Sequence, residues 1–172
     1  MDPRLKRLQE EVASAIAAVP PERWHSGPPG KWCAAEILEH LYLTYTGTMK
    51  GLERMTAAGK PLATSATWAQ RGRFLVVLRL GWMPSGRKAP AMALPRGLPP
   101  QNVLAEIGLK IREMDECIGR CEEKFGTKTK LLDHPFLGPL TGTQWRKFHL
   151  VHGRHHAKQI RRRGEWANDE LK

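Results

Sequence analysis

The chain has 172 residues, 41% of them hydrophobic and 26% charged, which fits one soluble globular domain with its own core and excludes a disordered or fibrous chain. Lys and Arg total 28 against 17 Asp and Glu, so the net charge is +11 and anionic partners are favoured over cationic ones. The longest apolar run, Phe74 to Met83, is broken by Arg79 and falls short of the roughly 18–20 residues of a membrane span; with a polar N-terminus lacking a signal core, the expectation is a cytoplasmic protein with no membrane partner.

Leu5, Leu8, Val12, Ile16 and Val19 recur at three- and four-residue steps among charged residues, which predicts an amphipathic helix ended by Pro20 and Pro21. A turn-rich connection follows from Glu22 to Lys31. A second helix is predicted from Cys33 to Ala58, with Gly59 as its cap and Pro61 beyond. Its apolar stripe is Ile37, Leu38, Leu41, Tyr45, Met49 and Leu52, and His40 lies on the edge of that stripe. Lys60 to Pro100 holds six prolines and reads as irregular; at around forty residues it is long for a simple connection. Within it, Trp68 to Met83 suits a short helix laid across the others, a lid over a site, or a patch for a second subunit.

The third helix is marked by Leu104, Ile107, Ile111, Met114, Ile118, Cys121 and Phe125, a strict heptad pattern ended by Gly126 that leaves no carboxylate on its inward stripe. The link from Thr127 to Leu140 carries no strand pattern and makes the third and fourth helices antiparallel neighbours. Thr141 with Gln144 forms a capping box that opens the fourth helix, Thr141 to Ile160. The expected architecture is therefore all-α: a single four-helix bundle over 1–172, with an irregular insertion at about 60–100 and a long crossover between the second and third helices. Cys33, Cys117 and Cys121 form no CxxC and read as small buried thiols rather than a disulfide framework or zinc finger.

The chemistry concentrates on the fourth helix. His149, His152 and His156 follow one another by three and four positions and so share a face, continuing the inward stripe of Trp145 and Phe148, while His155 lies on the flank. An unpaired imidazole in a core costs roughly 1–3 kcal/mol, a cost that coordination of a divalent ion would offset. In a bundle, His40 from the second helix can join His152 and His156, and three protein ligands leave coordination open to water or substrate. His149 and His134 are secondary candidates as ligands. Glu36, one turn before His40, and Gln159, one turn after His155, are candidates to orient the imidazoles. The open position is expected to face a pocket near Lys60 to Pro100.

The runs W-C-A-A-E-I-L-E-H-L at Trp32 to Leu41, H-P-F-L-G-P-L at His134 to Leu140 and W-x3-H-x2-H-x2-H-H-x2-Q at Trp145 to Gln159 resemble the DinB-like superfamily, which includes the bacillithiol and mycothiol S-transferase-like proteins. The resemblance covers most of the chain outside 60–100. It implies a four-helix bundle, often a homodimer, with a divalent ion such as nickel or zinc held by His40, His152 and His156. Imidazole itself suits zinc, nickel, copper and iron alike. One departure is Cys33, where Ser or Thr is common; a thiol caps a helix poorly.

The leading functional expectation is a metal-dependent transferase that joins a low-molecular-weight thiol, anionic in its other groups, to an electrophilic small molecule. Coordination would hold the thiol as its nucleophilic thiolate. The alternatives are metal-dependent hydrolysis and a non-enzymatic basic protein that binds nucleic acid. Lys158, Arg161 and Arg162, with Arg163, cluster at the end of the fourth helix and are candidates to bind an anion. No reading helix or aromatic RNA-binding motif accompanies them, which argues against nucleic acid.

Overall fold

Three of the four long helices begin where a side chain accepts from a backbone donor at the helix start, and the other begins at a proline. Asp2 accepts from Arg4 N–H at 2.8 Å ahead of α1 (Pro3–Ala17), and Pro3 takes the position where no N–H is needed. The carboxylate of Glu36 accepts from Cys33 N–H at 2.8 Å at the start of α2 (Ala34–Ala57). Pro100 opens α4 (Pro100–Phe125), and Thr141 and Gln144 exchange bonds of 3.0 and 3.3 Å at the start of α5 (Gly142–Asp169). The computed structural model describes residues 1–84, 86 and 88–169, the last three by backbone alone.

The protein is mostly helical, and the four long helices share one core that includes Leu8, Ile16, Leu38, Leu52, Ile111, Ile118 and Ile160. The pairings α1 with α5 and α2 with α4 are the most extensive. Both are parallel. Tyr42 Oη donates to Glu106 at 2.7 Å near one end of α2 and α4, and Lys124 Nζ donates to Thr56 O at 3.3 Å near the other. Arg154 Nε meets Glu11 at 2.8 Å and Arg161 meets Ser14 at 3.4 Å along α1 and α5. Parallel neighbours need a long connection, and residues 58–99 supply it between α2 and α4. Gly153 lets α1 come close to α5, since a β-carbon there would run into the Leu8 side chain.

Two expectations need correction. The link between α4 and α5 contains a hairpin, β1 (Leu132–His134) antiparallel to β2 (Gly138–Leu140) with His134 opposite Gly138. Three-residue strands are too short to show alternation in a sequence, and Gly138 at φ 74° closes the turn. Within the stretch 60–100 the short helix, one of the options for Trp68 to Met83, is present: α3 (Trp68–Phe74), whose capping box is Thr67 and Gln70, is followed by a wide turn over Leu75–Arg79 and a 3-10 turn at Ala91–Ala93. Finally, α4 buries Val103 where Leu104 had been expected, and it does bury an acidic side chain. Asp115 accepts from Arg146 Nε on α5 at 2.6 Å, and Glu122 accepts from the same guanidinium at 2.6 Å. A guanidinium held by two carboxylates keeps the charges compensated where α4 and α5 touch.

Cys33, Cys117 and Cys121 are buried and unpaired as disulfides, and burial pushes the Cys117 thiol up to about 11, which makes it a poor nucleophile.

Candidate metal centre

Antiparallel packing of α2 on α5 brings His40 against His152 and His156. His152 Nε2 lies 3.2 Å from His40 Nε2 and 3.1 Å from His156 Nε2. One ring nitrogen from each of the three falls within 4.8 Å of the others. Three imidazoles arranged tetrahedrally at about 2.0–2.1 Å from an ion would hold their nitrogens about 3.3 Å apart, so the spacing suits a divalent cation. All three residues are buried, at 4, 7 and 8% exposure.

The outer nitrogens fix which atoms face inward. His40 Nδ1–H donates to Ala93 O at 2.7 Å, and His156 Nδ1–H donates to Gln159 Oε1 at 2.7 Å, leaving lone pairs on both Nε2 atoms. His152 Nε2 sits between them, so a proton on it could serve only one neighbour and the other contact would set lone pair against lone pair. A cation satisfies all three at once. Burial also favours the neutral ligand form: it lowers the imidazole of His40, holds His156 down to about 3 with help from the neighbouring His40, and pushes His152 well below its usual value. These three buried histidines could hold a metal ion.

Residues from across the chain shape this centre. Ala93 belongs to the connection between α2 and α4, and that connection is tied down by Glu39. The Glu39 carboxylate, 2% exposed, accepts from the backbone N–H groups of Arg96, Gly97 and Leu98 at 2.8, 3.0 and 3.2 Å. Adjacent residues of α2 thus hold the loop and offer the imidazole that the loop orients. Trp32 packs on His40 at 5.1 Å between ring centroids, and Phe148 stacks on His152 at 5.2 Å, giving the site apolar walls.

The other sequence candidates fall into separate places. Gln159 bridges two imidazoles, since its Nε2 also donates to His155 Nε2 at 3.0 Å. Glu36 contacts no imidazole and instead caps α2, because its side chain turns back to Cys33 N–H. His134 is not brought to the triad: its Nδ1 accepts from Phe136 and Leu137 N–H at 3.1 and 3.2 Å and closes the hairpin turn. His149 is fully buried one turn before His152, against Tyr45 and Trp145, and among the described residues neither of its ring nitrogens has a hydrogen-bond partner. Lys158 and Arg162 are exposed near His155, while Arg161 reaches Ser14 and Arg163 donates to Trp32 O at 2.7 Å. Two surface cavities lie away from the triad: one of about 380 Å³ is lined by Ile16, Trp24 and Leu104, and one of about 530 Å³ by Asp2, Asp115 and Arg146.

Glu39 and Ala93 escaped the sequence reading. A charge set between Leu38 and His40, beside the apolar stripe of the helix, was the one available signal for Glu39. Ala93 acts through its carbonyl, which its side chain cannot reveal. Replacing Gln159 with Leu is expected to weaken metal binding about 10–100-fold, the usual scale for losing a hydrogen bond that orients a ligand, with the fold intact by circular dichroism. Calorimetric titration of the variant with zinc measures this.

No characterised protein and no solved structure matches the chain. The profile of one family, described as "Protein of unknown function (DUF1569)", matches residues 4–163, and the chain belongs to that family.

Proposed function

We propose that the protein is a divalent-metal-dependent enzyme, a four-helix bundle of the DinB-like kind, that transfers a low-molecular-weight thiol to an electrophilic small molecule. The observation carrying this reading is the convergence of three neutral imidazole nitrogens, two of them oriented from behind by Ala93 O and Gln159 Oε1. When bound, a zinc or nickel ion supplies Lewis acidity that lets a coordinated thiol lose its proton near neutral pH. An all-neutral ligand set leaves the full charge of the ion to act on that thiol.

The chain's own residues support the rest of the reading. His40, His152 and His156 hold the ion, and the indole of Trp32 and ring of Phe148 keep the surroundings apolar, which strengthens charge interactions at the site. Lys158 and Arg162, exposed on the same end of α5 as His155 and Gln159, suit the anionic groups of a small thiol.

The test uses cobalt-loaded protein. Addition of a small thiol such as cysteine is expected to raise a thiolate-to-metal absorption band and shift the ligand-field bands, after which conjugation of a chromogenic electrophile should require both thiol and metal. A cobalt spectrum indifferent to thiols would remove the transferase reading and leave hydrolysis as the chemistry to assay.

A further inference from the structure

We propose that the connection between α2 and α4 is a docking surface for an anionic lipid bilayer, on which α3 and the turn after it lie flat. Residues 60–105 contain seven Lys or Arg and none of the 17 acidic residues, so about a quarter of the chain holds +7 of its net +11. Arg87 lies outside the described residues; Lys60, Arg71, Arg79, Lys88 and Arg96 are exposed.

The same stretch exposes apolar side chains that the fold does not use. Trp68 is 85% exposed, Leu80 77%, Trp82 61% and Leu75 55%. The packing of this segment is supplied by other residues, with Val77 and Leu78 buried and Phe74 half-buried against the core. Trp68 and Leu75 are seven residues apart and so share a helix face, and between them the guanidinium of Arg71 lies 4.9 Å from the Trp68 ring. Large aromatic and aliphatic side chains interleaved with arginines characterise segments that lie in the headgroup region, the rings at the acyl boundary and the cations on lipid phosphates.

Charge decides the occupant. A second copy docked through this face would set the same basic patch against itself, because a two-fold interface pairs a surface with its own image. An anionic bilayer supplies the opposite charge and an apolar layer together. Among the described residues no helix is long and apolar enough to cross a membrane, so the association is at the surface. The earlier expectation of no membrane partner rested on the absence of a spanning segment, which does not bear on a surface-bound one. This proposal is independent of the metal chemistry.

The experiment is cosedimentation of the full-length protein with phosphatidylcholine vesicles, with and without about 30% phosphatidylglycerol. Binding is expected to be at least about tenfold tighter to the anionic vesicles, to weaken in about 0.5 M salt, and to shift tryptophan emission to the blue. The exposed-site double variant Trp68→Ser, Trp82→Ser should lose about tenfold or more in affinity and the blue shift while its thermal unfolding is unchanged. Arg71→Gln with Arg79→Gln should flatten the salt dependence. Failure to bind anionic vesicles, equal binding to both vesicle types, or a dimer in sedimentation velocity that the tryptophan substitutions dissociate would each overturn the proposal, the last by assigning the face to a second copy.

Discussion

Replacing His152 with alanine is expected to lower metal affinity by more than about a hundredfold, exceeding the loss for a residue that only orients a ligand. His152 Nε2 is the atom within 3.2 Å of both other candidate ligand nitrogens, so its removal takes away the centre of the cluster rather than one edge. Helical circular dichroism should persist, because α5 is held through Ile160, Ala157, Phe148 and the Arg146 pairs as well. His149→Leu is the matched control. It lies one turn earlier on the same helix, is equally enclosed, packs on Tyr45 and Trp145, and is not one of the three converging imidazoles. Calorimetric titration of both variants with zinc should find His149→Leu near the parent and His152→Ala far weaker.

The second large effect is on stability against pH. Burial holds His149 down to about 3, with the nearby His134 adding to the shift, and burial holds His134 down to about 4. Both values lie below the usual 6.5 of an unfolded chain, so between those limits the unfolded state binds more protons and stability falls as pH falls. Above about pH 6.5 both forms are neutral and the term vanishes. At pH 5 the cost is about 2 kcal/mol for His149 and about 1–2 kcal/mol for the less enclosed His134. Against a total stability of roughly 5–15 kcal/mol that is a large fraction. Urea denaturation of chelator-treated protein at pH 7.5 and pH 5 should show a midpoint falling steeply with acid, less steeply in His149→Leu. A midpoint independent of pH would mean that these imidazoles accept protons in the folded state.

The four long helices were legible because their apolar residues repeat at helical spacing and their ends carry caps: Pro20 after α1, Gly59 after α2, Gly126 after α4, and the Thr141 and Gln144 pair before α5. The His152 and His156 spacing and the edge position of His40 made their convergence legible too. What lay beyond reach acts over long separations or through the backbone. The carbonyl of Ala93 that orients His40 comes from 53 residues away, the Glu39 carboxylate binds N–H groups 57–59 residues on, and Arg146 finds Asp115 31 residues back. None of these pairs leaves a local pattern. Glu36 misled because it occupies the right helical turn for His40, but its side chain serves the backbone donor three residues earlier. The hairpin is too brief to carry a period, and its turn is closed by an imidazole that had been considered for the metal.

The most direct measurement is elemental analysis of the protein purified without added metal, followed by zinc titration of the chelator-treated chain. The three-histidine centre predicts one divalent ion per chain, lost on substitution of His40, His152 or His156. A protein that carries no ion and binds none on titration, or one whose ion survives all three substitutions, would contradict it.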